Sequence, residues 1–340
     1  MAKIKKLKIS ILIPTYNGSK TIIDTLNSIL SQNFQNFNII IQDDTSTDDT
    51  LQIIKQLKNK KIKIYQNKKN LGYSRNLERG RKNCQGDILF LMGQDDILAK
   101  NALKNTHNAF AKSEKIGAVT RPYYWFFNTQ INLPIRAKKQ LNSKKDEILN
   151  INSDPEKIIT MFHTLDQLSG LAYRIKYIDT PFHPNIFPCH VYPFASILKK
   201  HSVVFLKDYT IAVRTTSSQS RSVSWIYQKS PIQSWVNMFN TLFTEPKLQN
   251  LKIYLIKNFV ATNYIGLIQI KNFSTFNNLL REIYYLIKYR PQNLLNLNFW
   301  FFSLGTIITP PVILLPMVDW YKNSILTQKI PPIKFNYSLK

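Results

Sequence analysis

The chain has 340 residues, of which 44% are hydrophobic and 12% aromatic, and this composition excludes an intrinsically disordered protein. Its length favours two or three domains. The formal net charge of +26 predicts an anionic partner: nucleic acid, a phosphorylated ligand or an anionic membrane surface. The basic residues are scattered and no helix-turn-helix, zinc-finger or RNP signature is present, so nucleic acid is the least favoured partner. Two cysteines without C-x-x-C spacing argue against a disulfide framework and a zinc site.

The first apolar run could be mistaken for a signal peptide. It extends only from Ile9 to Pro14, which is too short for the hydrophobic region of such a peptide. We therefore interpret it as a first strand and expect a cytoplasmic protein.

Short apolar runs alternate with segments of helical periodicity over roughly the first 120 residues. Strands are predicted at 9–13, 37–41, 62–65, 87–92 and 116–121, and helices at 20–32, from a Ser46 or Thr47 cap to 59, at 73–84 and at 100–112. This order predicts an α/β fold with a mostly parallel sheet between helices.

Two pairs of adjacent carboxylates lie just after predicted strands. Asp43-Asp44 follows the second strand and Asp95-Asp96 the fourth, while the turn PTYN follows the first strand. Because ligands bind outside the carboxyl ends of parallel strands, we expect these groups to converge, with the acidic pairs exposed in a binding crevice. One pair could hold Mg²⁺ or Mn²⁺ and the other could accept hydrogen bonds from a base or ribose, which suits a nucleoside diphosphate. The alternative is that the aspartates only cap turns.

Four ordered segments of this chain are similar to a known family. ISILIPTYNG, SILSQNFQNFNIIIQDDTSTDDT, NLGYSRNLERG and GDILFLMGQDDIL resemble the family 2 glycosyltransferases, which have the GT-A fold. The resemblance is strong over residues 8–115 and weak over 116–228. It implies a glycosyltransferase domain at 1–228, with a nucleotide-binding half at 1–115 and an acceptor-binding half at 116–228.

The resemblance also implies roles for particular residues. The first turn and the acid after the second strand would hold the nucleoside, Asp95 would contact the ribose, Asp96 would bind the metal, and Arg75 could approach the diphosphate. Gln94 stands where the family often has a small or acidic residue. The donor-binding residues expected on this basis are Pro14, Thr15, Tyr16, Asp43, Asp44, Arg75 and Asp95.

The implied reaction is metal-dependent transfer of a sugar, with inversion, from a nucleotide-diphosphate donor to an acceptor hydroxyl. Uridine is slightly favoured over guanine as the donor base. The family's carboxylate base is missing, and His190 stands where we would place it. Asp166 and Asp179 are alternatives, and a third possibility is a protein that binds sugar nucleotides without catalysis. If His190 is the base, His190→Ala should lower turnover and leave donor binding intact.

Residues 229–340 have a different pattern. Residues 233–290 predict amphipathic helices, either as a packed subdomain or as a platform on a membrane surface. The uncharged stretch 299–318 is long enough to span a bilayer, but Pro310 and Pro311 would break a simple helix. We therefore expect a helical, membrane-associated region, peripheral or partly embedded at the cytoplasmic face of the cell membrane. Its partners would be anionic lipid and a glycan or lipid-linked acceptor.

Overall fold

The computed structural model describes residues 7–184, 188–215, 224–321, 330 and 333–339. The chain forms two compact units. The first comprises Met1–Thr216 together with Pro331–Lys340, and the second comprises Ser217–Ile330.

Nine elements of the first unit correspond to the predicted ones, with ends that differ by at most three residues. In chain order they are β1 (Ile9–Thr15), α1 (Ile22–Leu30), β2 (Phe37–Asp43), α2 (Thr50–Gln56), β3 (Ile62–Gln66), α3 (Tyr73–Lys82), β4 (Ile88–Leu91), α4 (Ala102–Ala111) and β6 (Ile116–Thr120), with β5 (Ile97–Leu98) before α4. The further elements are β7 (Tyr124–Phe126), β8 (Arg136–Ala137), β9 (Glu147–Leu149), α5 (Pro155–Phe162), β10 (Ala172–Arg174), α6 (Val191–Lys200), β11 (Ser202–Phe205) and β12 (Ile211–Arg214).

The principal sheet has eight strands in the order β3-β2-β1-β4-β10-β6-β11-β9. The first four strands are parallel, as predicted. The sheet as a whole is mixed, because β10 lies antiparallel between β4 and β6, and β9 lies antiparallel to β11. Both antiparallel strands have three residues, too few for a recognisable periodicity in the sequence.

A second, four-stranded sheet has the order β5-β12-β7-β8. Its small core includes Tyr124, Phe126 and Phe335, and the rings of Tyr124 and Phe335 meet edge to face. The backbone N–H of Lys100 also donates to the carbonyl of Asn336 at 3.1 Å. The segment 333–339 is therefore part of the first unit, although it follows the second unit in sequence.

The expected cap of α2 is wrong. The helix begins at Thr50 with Asp49 at its N-cap, and the Asp49 side chain makes no capping hydrogen bond. Ser46 instead donates its hydroxyl to Asp43 and accepts from the backbone N–H of Asn17. The loop after β2 therefore uses its hydroxyl group to join two strand ends.

The second unit is helical: α7 (Pro231–Leu242), α8 (Gln249–Asn258), α9 (Gly266–Phe273), α10 (Phe276–Tyr289), α11 (Leu297–Ile308) and α12 (Pro311–Trp320). The predicted helices within 233–290 are confirmed, and Leu279 and Leu286 on α10 are buried, as the periodicity indicates. The predicted break is confirmed too, since α11 ends before Pro310 and α12 starts after it. In the described part of the chain, no helix has both the length and the apolar character needed to cross a membrane.

Candidate active site

The turn after β1 is held by Gln94. The side-chain oxygen of Gln94 accepts from the backbone N–H of Tyr16 at 3.0 Å, and its Nε2 donates to the Tyr16 carbonyl at 3.0 Å. A Cβ on Gly18 would lie 2.5 Å from Gln94 Oε1, so any other residue at this position would displace the amide. Gln94 therefore joins the ends of β1 and β4, while the Tyr16 ring remains 41% exposed.

The first acidic pair is buried, contrary to the expected exposure. Asp43 accepts from the backbone N–H and the hydroxyl of Ser46. Asp44 accepts from Asn67 Nδ2 and from the backbone N–H groups of Leu71 and Gly72, each at 2.8 Å. These donors offset the desolvation cost of the carboxylates. Asp44 therefore fixes the loop that leads into α3.

In the second pair, Asp95 is half-buried and Asp96 is buried, so the expected exposure is wrong for Asp96 as well. Asp96 Oδ2 accepts from Gln167 Nε2 at 2.8 Å and from Ser169 Oγ at 2.5 Å, and Oδ1 accepts from the backbone N–H of Arg214 at 3.1 Å. Burial, together with the Asp95 carboxylate, raises the pKa of Asp96 well above its usual value. Asp96 therefore binds the protein's own loops together.

Arg214, at the end of β12, is 7% exposed and connects three parts of the site. Its guanidinium donates to Asp24 Oδ2 at 2.8 Å, to the Asn128 carbonyl at 2.7 Å and to the Asp95 carbonyl at 3.2 Å. This residue fixes the backbone of the acidic loop from the side of the second sheet.

Tyr73, the first residue of α3, also lies close to the acidic loop. Burial raises the pKa of its phenol well above the usual value, and the charges of Cys189, Tyr173 and Asp95 add to this effect. The neutral form of the phenol is therefore favoured, and the side chain lies within electrostatic range of Asp95.

Arg75 is exposed on α3 and lines a cleft of about 550 Å³ together with Tyr65, Gln66 and Arg79. The expected contact of Arg75 with the diphosphate stays a prediction.

His190 lies at the N-cap of α6, where the sequence placed a base, but its ring is buried. Nε2 lies 2.8 Å from the Leu165 carbonyl, so this nitrogen carries the proton and donates it to the carbonyl. The other nitrogen, Nδ1, lies 3.8 Å from the sulfur of Cys189. Burial lowers the pKa of His190, which keeps the ring neutral. This geometry suits a positioning residue more than a general base.

The two alternative carboxylates lie in different surroundings. Asp166 has a half-exposed side chain and accepts from the Tyr123 hydroxyl at 2.5 Å and from Lys138 Nζ at 2.7 Å. Its neighbour in sequence is Gln167, whose amide contacts Asp96. Asp179 instead pairs with Lys200 at the far end of α6 from His190. Of the two, Asp166 is the carboxylate beside the acidic loop.

The two carboxylates of the acidic loop differ in their accessibility to a divalent cation. Asp96 is a poor ligand because both of its oxygens already accept hydrogen bonds from protein donors. Asp95 is half-exposed, and Mg²⁺ or Mn²⁺ usually takes only one or two carboxylates together with substrate phosphates. The described residues contain no cluster of three or more His, Cys, Asp or Glu side chains able to hold a metal by themselves. Any metal bound here would need the donor's phosphates.

Sequence patterns did not reveal several residues that build the site. Arg214, Gln167 and Ser169 lie outside the four quoted motifs, and Tyr73 lies within one of them without having been assigned a role. All four reach the acidic loop only through the folding of the chain. Gln94 departs from the family pattern, and its two hydrogen bonds to the backbone of Tyr16 explain its presence.

Comparison with known proteins agrees with this arrangement. The profile of the family described as Glycosyl transferase family 2 matches residues 10–168. An uncharacterized glycosyltransferase of Haemophilus influenzae is 27% identical over 77% of this chain and 98% of its own length. The poly(ribitol-phosphate) beta-N-acetylglucosaminyltransferase TarS of Staphylococcus aureus is 36% identical over 29% of this chain, but the match spans only 18% of TarS.

Solved structures share the fold. The 1–349 fragment of S. aureus TarS, in complex with UDP-GlcNAc, superposes with a TM-score of 0.62 at 16% identity and covers 93% of this chain and 91% of its own. A mannosyltransferase of Pyrobaculum calidifontis, in complex with GDP-Man and Mn²⁺, gives a TM-score of 0.52 at 13% identity and covers 89% of this chain and 86% of its own. Residues 10–168 therefore belong to glycosyl transferase family 2, and the protein is a glycosyltransferase with a GT-A-like α/β fold.

Proposed function

We propose that this protein moves a sugar from a UDP-sugar to a hydroxyl of a glycan or lipid-linked acceptor, with inversion and with the help of Mg²⁺ or Mn²⁺. The observation that carries the proposal is that the loops after β1, β2 and β4 meet at one edge of the sheet. Gln94 joins the turn after β1 to the acidic loop after β4, and Asp44, after β2, fixes the loop before α3. UDP is favoured because the TarS neighbour is in complex with UDP-GlcNAc, and the GDP-Man complex keeps GDP-sugars as the alternative.

The donor would lie over the turn after β1. The exposed Tyr16 ring offers a face for the base. Asp44 uses three of the about four acceptor positions of a carboxylate on protein donors, so its main effect is to position the 70–72 loop. Pro14 and Thr15 would likewise position the turn after β1, and Asp43 would position the loop after β2. Arg75 remains the proposed cation for the diphosphate.

For the metal we propose Asp95 as the ligand, with Asp96 as the support, which reverses their sequence-based roles. Bound beside Asp95 and the diphosphate, the cation would offset the negative charge that develops on the leaving group. Asp96, bonded to Ser169 and Arg214, keeps the acidic loop in place.

For the general base we propose Asp166 in place of His190. In the reaction the acceptor O–H proton passes to Asp166, the oxygen bonds to the anomeric carbon, and the bond from that carbon to the diphosphate oxygen breaks. Tyr123 and Lys138 hold the carboxylate in place. His190, bonded to the Leu165 carbonyl, positions the backbone next to Asp166.

Membrane association is a further part of the proposal. Large apolar side chains are exposed along α11 and α12, including Phe301, Ile308 and Val312, each at least 74% exposed. An exposed apolar band beside basic helices is typical of surfaces that lie on anionic lipid. We propose that the second unit binds the cytoplasmic face of the cell membrane through this band.

The decisive experiment incubates the purified protein with UDP-, GDP- and dTDP-sugars in Mn²⁺, Mg²⁺ or EDTA and measures release of the free nucleotide. We expect slow, metal-dependent hydrolysis of a UDP-sugar. Hydrolysis of GDP-sugars alone would replace the proposed donor. Donor binding without hydrolysis or transfer, also in the presence of candidate acceptors, would favour a sugar-nucleotide-binding protein. No binding of any donor would refute the proposal.

A further inference from the structure

A basic cleft lies along α3 in the first unit. It measures about 550 Å³ and is bounded by the end of β3, the outer face of α3 and the segment at 182–184. Its lining includes Tyr65, Gln66, Arg75, Arg79, Lys82 and Phe182. The lining also includes Leu71, whose backbone N–H donates to Asp44. The cleft therefore opens beside the loop that we assign to the donor.

Three cations project from one face of α3 into this cleft. Arg75, Arg79 and Lys82 are spaced four and then three residues apart, which places them on one face of the helix. All three are exposed, and none forms an ion pair with another residue in the described part of the chain. The neighbouring Glu78 does not neutralise them, because its carboxylate pairs with Arg81 at 2.6 Å and accepts from the backbone N–H of Phe182.

The surrounding sequence strengthens this positive field. Residues 51–86 contain eleven Lys and Arg residues and a single acidic residue, Glu78. Lysines on an edge strand such as β3 discourage pairing with other sheets, and this explains Lys61 and Lys63. It does not explain two arginines on a helix that line a concave cleft. Arginine is suited to paired hydrogen bonds with phosphate.

We propose that this cleft binds phosphate groups of the acceptor, a glycan or polyol chain that carries phosphodiesters; this inference rests on the proposed glycosyl transfer. Arg79 and Lys82, three residues apart, have Cβ atoms about 5–6 Å from each other, so both can engage one extended chain. Arg75, nearer to the donor loop, stays with the donor diphosphate. A bilayer surface fits less well, because the cations line a concave cleft and not a flat or convex face.

The test measures binding of fluorescent short-chain inorganic polyphosphate at fixed ionic strength. The cleft variant combines Arg79→Gln with Lys82→Gln and leaves Arg75 in place. The control combines Lys104→Gln with Lys139→Gln, which removes the same charge from exposed positions of the first unit outside the cleft. Melting followed by circular dichroism shows whether both variants fold.

We expect the cleft variant to bind polyphosphate about tenfold more weakly, with a shallower dependence of log Kd on log salt, and the control to change less than about twofold. Equal losses in the two variants would show a nonspecific charge effect and overturn the proposal. If the cleft variant loses binding to phosphatidylglycerol vesicles but keeps polyphosphate binding, the cleft binds a membrane and not the acceptor, and the proposal is also overturned.

Nucleotide release from UDP-sugars by the unmodified protein is measured in parallel. Hydrolysis together with unaltered polyphosphate binding in the cleft variant would refute the cleft and leave the proposed function. Loss of polyphosphate binding without any donor hydrolysis would refute the proposed function and leave the anion site.

Discussion

Arg214 binds Asp24 with 2.8 Å between Nη2 and Oδ2, which joins the end of β12 to the first turn of α1. The side chain of Arg214 is 7% exposed, so removal of its partner would leave a buried charge. We expect Asp24→Ala and Arg214→Ala each to lower the free energy of unfolding by about 3 kcal/mol in urea denaturation. As a control, Lys112→Ala breaks an exposed pair with Asp146 and should cost less than about 1 kcal/mol. Equal effects of the three variants would contradict the structural role of Arg214.

Two substitutions test whether Asp166 or His190 is the general base. We expect Asp166→Asn to lower kcat by about 100-fold or more, because the acceptor proton then has no base. His190→Gln keeps a side-chain donor for the Leu165 carbonyl and should lower kcat less than about tenfold. Steady-state transfer rates, with the donor Kd measured separately, check both expectations. The opposite ranking would restore His190 as the base.

The metal ligand is tested with Asp95→Asn. We expect this change to abolish the stimulation of donor hydrolysis by Mn²⁺, because the amide loses the charge that holds the cation. Asp96→Ala, in contrast, should lower the free energy of unfolding by about 2–3 kcal/mol, since three donors lose their acceptor. Metal titrations of the hydrolysis rate and urea denaturation measure the two effects. If Mn²⁺ still stimulates hydrolysis by Asp95→Asn, the metal ligand is another residue.

The pH dependence of stability should report His190. Burial lowers the pKa of its ring in the folded state, so the unfolded chain takes up the proton first as the pH falls. The contribution of the neutral ring is therefore complete above about pH 6.5 and is lost below it. His163 and His201 shift in the same direction and add to the effect. We expect the stability difference between the unmodified protein and His190→Gln to become less favourable to the unmodified protein between pH 7 and about pH 5. A difference that is constant with pH would contradict the buried, neutral ring.

The exposed apolar band predicts binding to vesicles. Replacement of Phe301, Ile308 and Val312 with Ser should reduce sedimentation with anionic vesicles by about tenfold or more, because apolar area drives insertion at the interface. Phe127, Leu133 and Ile148, exposed in the first unit, provide three control positions for substitution with Ser. Vesicle binding that falls equally in both sets, or in neither, would argue against the band.

The sequence by itself determined the local structure of the first 120 residues and the break at Pro310. Apolar runs and helical periodicity reflect burial within single elements, so the alternation of β1 to β4 with α1 to α3 was predictable. The positions of the acidic pairs after strands also followed from this alternation. The short strands β9 and β10 carry too few residues for such a signal, and the mixed sheet depended on long-range pairing.

Only the tertiary structure decided the environments of the site residues. From their positions after strands, Asp44 and Asp96 were both expected to be exposed. Both are buried instead, because donors from distant segments reach their carboxylates. His190 occupies the expected position for a base, but the Leu165 carbonyl engages its proton. Burial and hydrogen bonding depend on residues that are 25 to 118 positions away in the chain, and such partners leave no local pattern.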